Sequence, residues 1–400
     1  MLLLTVLIGC GDPDLTPRAE PGPHVAVHVA PPASRSSVGP IGLPVSIVDC
    51  LGAGNFTTIQ AAIDAAPREG WIEVRPCTYK EAVDFRGKTL WVASSGGSAV
   101  TTLDSDGRTA IMATHAEADG TAFVGFTVNS NVTGADVDHS ALRLQDVVFA
   151  STGGQYVIDA EGADLELEGV VFAASNDASD TVIIMDRGAI TVARSTIACG
   201  AANRGLFLEH GSAFLDEVTI DCRGAGEESI EHENTVGRIQ RSVIRGPSVW
   251  LSEDDHPEDQ FIIESTVISG DMDITNGSVS VRNSVIVASD ITLVNVSNPL
   301  FTSNVFLGGG CSIRSDLPIV ADYNDFFDNV GWCDGTVLIG TAGNISADPL
   351  FTNAAIGDYT LQAGSPLVDV GNPDSRYLDP DRSRNDIGLT GGRFSVLGGW

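Results

Sequence analysis

A short apolar motif recurs along most of the chain, and it limits what the chain can fold into more than any other feature. Its pattern is a large apolar residue, two variable residues, a small or β-branched residue, one variable residue and a second large apolar residue. Examples are Leu167-Glu-Gly-Val-Val-Phe172, Val192-Ala-Arg-Ser-Thr-Ile197, Leu215-Asp-Glu-Val-Thr-Ile220 and Ile239-Gln-Arg-Ser-Val-Ile244. The closing residues are Val128, Phe149, Phe172, Ile197, Ile220, Ile244, Ile268, Ile286, Phe306 and Phe326, and their mean spacing is 22 residues. That period is too short for a pair of packed helices or a propeller blade of about 40–45 residues, and too irregular for a coiled coil. Each copy is β-branched and alternating, so each predicts a short strand, with room for two further strands per period. Parallel strands stacked at about 4.8 Å would put every closing residue above its predecessor, and ten turns would make a rod of roughly 48 Å.

This repeat resembles the right-handed parallel β-helix of the pectin-lyase-like superfamily, and two flanking segments strengthen the resemblance. Phe56-Thr-Thr-Ile-Gln-Ala-Ala-Ile-Asp-Ala-Ala-Pro67, followed by Trp71 to Glu81, is similar to the opening segment of pectin methylesterases. Ile59, Ala62, Ile63 and Ala66 in it sit at helical spacing, which predicts a capping helix near 57–67 over the first coil. Asp348-Pro-Leu-Phe351, the run from Tyr359 to Gly371 and Asn385-Asp-Ile-Gly388 resemble the closing segment, near 345–392, of bacterial surface β-helix proteins. The expected fold is all-β: one single-stranded right-handed parallel β-helix over 46–400, with ten or more rungs of about 22 residues.

The N-terminal region has a different character. Leu7-Ile8-Gly9-Cys10 resembles the lipobox of bacterial lipoproteins, so 1–10 reads as a lipoprotein signal peptide with Cys10 as the lipidated residue. The resemblance implies an exported protein attached to outer-membrane lipid, since Gly11 rather than Asp follows the cysteine. Eight of the 18 prolines fall between Pro13 and Pro44, and no apolar periodicity survives there. Residues 11–45 are therefore read as a Pro-rich tether. Six cysteines remain. Cys199 and Cys222 follow successive closing residues at the same offset, so they should stack one rung apart, within reach of a disulfide. Cys311 and Cys333 also lie about one turn apart, and Cys50–Cys77 would tie the helix segment to the first coil. Three disulfides suit an exported chain.

Composition narrows the partners. Lys+Arg total 22 against 53 acids, for a formal charge of −31, and only Lys80 and Lys88 are lysines. Nucleic acid and anionic membrane surfaces need a basic footprint, which this chain lacks. The chain is expected to act as a monomer.

The enzymes of the resembled superfamily leave no motif here: Asp254-Asp255 pairs two aspartates, but no Asn-Thr-Asp, Gly-His-Gly or Arg-Pro-Trp accompanies it. A constellation does appear once the strands preceding each motif are aligned. Ile184-Met185-Asp186-Arg187, Phe207-Leu208-Glu209-His210, Ser229-Ile230-Glu231-His232 and Trp250-Leu251-Ser252-Glu253 would put Met185, Leu208, Ile230 and Leu251 inward. Asp186, Glu209, Glu231 and Ser252 would then share one outward column, with Phe207 and Trp250 to either side. Carboxylates about 5 Å apart match the spacing of retaining glycosidases, and their mutual repulsion raises a pKa. The expectation is a polysaccharide groove on this face, either a lyase or a glycoside hydrolase. Glu209, Glu231 and Asp186 are its candidate carboxylates, His210 and His232 its proton carriers, and Phe207 and Trp250 its sugar platforms. The alternative is a non-catalytic adhesive or structural surface protein whose acidic column is only a solvated face. Calcium is the candidate cofactor, with Asp254 and Asp255 in an acidic loop as its candidate ligands.

Overall fold

The computed structural model describes residues 45–151, 154–173, 181–224, 226–253, 260–287, 289–309, 312–329 and 338–395. They form a single parallel β-solenoid of about 11 turns of roughly 23 residues, with one α-helix. Each turn contributes strands to three faces, called A, B and C in chain order. Face A runs from Val45–Val48 and Glu69–Val74 to Val320–Asp322, and face B from Thr78–Lys80 to Asp325–Phe327. Face C runs from Val83–Asp84 to Ile313–Ser315. Cys10, the tether up to Pro44, Asp254, Asp255, Cys311 and Cys333 lie outside the described residues.

The repeat motif spans the A–B corner. Its first apolar residue ends a face A strand, and its last opens face B. The ten closing residues form one unbroken ladder, each paired in register with the next, and Tyr79 and Leu103 extend it at the N-terminal end. All twelve are at most 2% exposed. Like side chains stack: the Phe149 and Phe172 rings lie 5.1 Å apart at 11°, and Phe306 and Phe326 lie 4.8 Å apart at 10°. From Gly125 onward, two residues after the first apolar position, the backbone turns through the left-handed region at each rung, as at Arg194 (φ 47°), Glu217 (φ 55°) and Arg241 (φ 47°). That single residue reverses the chain between two strands without a loop. Near the C-terminal end the same corner is filled by buried asparagines, with Asn304 Nδ2 donating to Asn324 Oδ1 and Asn324 Nδ2 to Asn344 Oδ1, both at 3.1 Å.

Helix Ile59–Ala65 covers the first coil, shorter than the expected 57–67, and buries Ile59, Ala62 and Ile63. Its ends are held by opposite charges, as its dipole favours. The Glu81 carboxylate accepts from the Ile59 and Gln60 amides, both at 2.8 Å, and Lys88 Nζ donates to the Ile63, Asp64 and Ala66 carbonyls. Among the described residues two disulfides are present. Cys199–Cys222 joins successive rungs with Cα atoms 4.8 Å apart, and Cys50–Cys77 braces the helix segment.

The C-terminal segment runs back along the side of the rod. Leu367, Ile387 and Leu389 form a second apolar cluster with Val243, Val267, Val285 and Val305, which point outward from face B. The Asn283 side chain donates to Asn385 Oδ1 at 2.9 Å and to the Asp386 carbonyl at 3.0 Å, which fastens the segment at the A–B corner.

The interior column generates a stability prediction. Replacing Ile220, fully buried between Ile197 and Ile244, with alanine should cost about 2–5 kcal/mol in chemical denaturation. An unchanged midpoint would mean that the column does not carry the core.

Candidate functional site

Face C is where the sequence placed the site, and its register differs from the expectation by two residues at one rung. Leu208 pairs with His232, and His232 with Leu251; Ile230 pairs instead with Leu206 and Val249. The outward column beside them is therefore Asp186, Glu209, Glu233 and Ser252, while Glu231 pairs with Phe207 and Trp250. Leu208-Glu209-His210 and Ile230-Glu231-His232 look alike, but the corner decides the pairing. The left-handed residue that ends each of these strands is Arg187, His210 and then Asn234, a residue type that tolerates that conformation well. Matching the corners moves Glu231 two places along the strand.

The slip takes His232 off the surface. It is fully buried on the inward side, edge-on to Phe261 at 4.6 Å, and neither ring nitrogen has a hydrogen-bond partner. Burial pushes its pKa down to about 3, so it stays neutral and cannot serve as a surface proton carrier.

Glu209, Asp186 and His210 do come together. His210 Nδ1 lies 3.4 Å from Glu209 Oε1 and 3.7 Å from Asp186 Oδ1, and Asp186 Oδ2 accepts from Arg187 at 2.7 Å. The three side chains offer ligand atoms within 4.8 Å of one another, so a cation could be held there. They belong to a longer ladder of carboxylates, one per rung: Asp138, Glu161, Asp186, Glu209 and Glu233. Asp84, His115 and Glu117 converge as well, but the Glu117 oxygens already accept from the Gly87 and His115 amides and from Ser140.

Glu231 stands in a different setting. Only 7% exposed, it pairs with Arg204, which also reaches Glu227 at 2.8 Å and Glu228 at 3.2 Å. Burial pushes the Glu231 carboxyl up to about 7 against the pull of Arg204, and Glu228, Glu233 and Glu227 add repulsion. Trp250 is its neighbour on the next rung, and Asp273 follows Trp250 in the same column. Glu231, Trp250 and Asp273, with Glu228 and Ser248, line an open depression of about 420 Å³. On the other side of Glu231 lies Phe207, with the Arg204 guanidinium 5.5 Å from its ring centre. Sequence reasoning missed Asp273 and Arg204. Their signal was the alternation around Trp250 and Phe207, which becomes readable once Asn234 is recognised as a corner.

No family model matches the chain, and a search of curated proteins also finds no match. Fold and site together describe an acidic, disulfide-braced parallel β-solenoid with an aromatic and carboxylate depression on one face.

The buried histidine gives a prediction with a definite sign. Below about pH 6.5 the unfolded chain takes up a proton that folded His232 refuses down to about 3, so stability is lost as pH falls through that window. His232→Leu, matching Leu208 and Leu251 above and below it, should be more stable than the natural chain. The gap should widen from pH 7 to pH 4 by roughly 1 kcal/mol per pH unit once below 6.5. A gap that stays constant with pH would contradict the burial of a neutral imidazole.

Proposed function

We propose that this protein binds a polysaccharide across face C and cleaves it at the depression between Glu231 and Asp273. The observation that carries this reading is the register: Trp250 lies directly between the two carboxylates on successive rungs. Two rungs separate the acids by roughly 9–10 Å along the backbone, near the wide spacing with which inverting glycosidases leave room for a water. In this scheme Glu231, protonated up to about pH 7, donates to the leaving oxygen. Asp273, less buried, activates the water, and the Trp250 indole carries a sugar ring. This moves the chemistry from the retaining-type pair Glu209–Glu231 to an inverting-type pair that excludes Glu209.

Several further elements belong to the same proposal. Membership of the pectin-lyase-like superfamily is supported by the parallel coil and the helix over its first turn. Export is supported by the two disulfides, which persist in oxidising compartments, and attachment through Cys10 to outer-membrane lipid rests on the Leu7-Ile8-Gly9-Cys10 sequence alone. Calcium is the proposed cation for the ladder at Asp186 and Glu209. The adhesive, non-catalytic reading has one observation in its favour: Arg204 engages Glu231, Glu227 and Glu228 together, as a structural ion network would.

Incubation with a polysaccharide panel, read for new reducing ends and for the ultraviolet absorbance of unsaturated products, separates these readings. Hydrolysis is expected, without unsaturated product. Glu231→Gln and Asp273→Asn should each lower kcat at least ~100-fold, of the order a general acid or base contributes, with little change in glycan affinity. The rate should fall as pH rises above 7, because the acid must hold its proton. Binding without product release would favour the adhesive reading, and full activity in Glu231→Gln would end the catalytic one.

A further inference from the structure

The rungs on either side of the depression constrain what kind of chain can lie in it. The outward column through Glu231 reads Ile184, Phe207, Glu231, Trp250, Asp273 and Thr292 on successive rungs. Two half-buried aromatic rings therefore stand two rungs apart with the acid between them, a separation of roughly 9–10 Å. That is close to the two-unit repeat of an extended β-1,4-linked glycan, in which every second ring turns the same face to one side. A ring on Trp250 and a ring on Phe207 then belong to one chain running along the rod. With Glu231 as acid and Asp273 as base, the ring on Trp250 is the one attacked. Its anomeric carbon–oxygen bond breaks as Glu231 gives its proton to that oxygen, and the water that bonds to the carbon gives a proton to Asp273. The departing chain lies toward Phe207, whose ring is braced by the Arg204 guanidinium 5.5 Å from its centre.

We propose, on the basis of that cleavage reading, that the substrate is an uncharged β-1,4-linked chain lying along the rod axis, with Phe207 as the platform for the second unit on the departing side. The charges in the depression select against a charged sugar of either sign. Glu228, Glu231 and Asp273 line it, with no lysine or arginine among the described lining residues. Arg204, beside it, is already shared among Glu227, Glu228 and Glu231. A uronate would set its carboxylate against Asp273 with no cation to offset the repulsion. An amine would pair with Asp273 and occupy the base. Its positive charge would also draw the proton off Glu231, which burial otherwise keeps in place up to about pH 7. An uncharged chain leaves the acid its proton and the base its water, and its rings offer apolar faces to Trp250 and Phe207.

Hexamers with one β-1,4 backbone and different charge test the assignment: glucose, mannose and xylose as the uncharged set, glucuronate as the anion and glucosamine as the cation. Binding is read by calorimetry in Glu231→Gln, which mimics the protonated acid and keeps Asp273. At least one uncharged hexamer should bind at least tenfold more tightly than the glucuronate hexamer, and the gap should narrow as salt rises. Adding Phe207→Ala should weaken that hexamer at least fivefold, about the worth of one aromatic contact. The same change should leave the matching disaccharide unaffected, because it is too short to reach from Trp250 to Phe207. Circular dichroism and thermal unfolding report that the fold is kept. The natural chain should turn over the glucosamine hexamer at least tenfold more slowly than the uncharged one. Equal or tighter binding of glucuronate, faster turnover of glucosamine, an unchanged hexamer affinity in Phe207→Ala or binding of no hexamer at all overturns the proposal. The expected binding pattern without turnover of any hexamer would end the cleavage reading and leave the uncharged chain as the ligand of this face.

Discussion

Everything on the surface of this molecule depends on strands stacking in register, and the register depends on the A–B corner. From Phe123 onward the apolar residue that ends face A and the one that opens face B are always five positions apart, with the left-handed residue two places after the first. Gly125, Asp146, Gly169 and Arg194 hold that position in four successive turns. A corner of fixed length lets side chains of consecutive rungs meet directly. The interior therefore becomes two adjoining columns, Leu144–Leu167–Val192–Leu215 and Phe149–Phe172–Ile197–Ile220, with no loop between them. Each fully buried member contributes about 1.5–3 kcal/mol, and a dozen rungs accumulate enough to hold strands that would be unstable alone.

That constancy explains why the core was readable in the sequence and the site was not. The ten closing residues could be ranked because nothing between the two columns varies. The connection from face B to face C obeys no such rule. Ile197 and Leu206 are nine positions apart, Ile220 and Ile230 ten, and Ile244 and Val249 five. Alignment there rested on the likeness of Leu-Glu-His to Ile-Glu-His, and the likeness misleads. A shift of two keeps inward and outward parity but exchanges neighbours, so Glu231 leaves Glu209 and joins Trp250. It also moves His232 to the position where a leucine stands on the rungs above and below.

The acid excess follows from the same geometry. A rod with an apolar interior must carry its carboxylates outside, and in-register stacking lines them up one rung apart, as in the ladder from Asp138 to Glu233. Arginines and histidines at the corners temper that repulsion: Arg187 meets Glu161 and Asp186, and His210 meets Asp186 and Glu209. Where Trp250 interrupts the charge between Glu231 and Asp273, an open depression appears.

The register at Glu231 is thus the point on which both the fold and the site turn, and engineered disulfides measure it directly. In-register outward neighbours lie about 4.8 Å apart, inside the 4.4–6.8 Å window for a disulfide, whereas residues offset by two positions lie about 8 Å apart, outside it. Phe207→Cys with Glu231→Cys should therefore cross-link readily under mild oxidation, as shown by peptide mass mapping, and Glu209→Cys with Glu231→Cys should not. Cross-linking of the second pair and not the first would contradict the pairing that sets Glu231 beside Trp250.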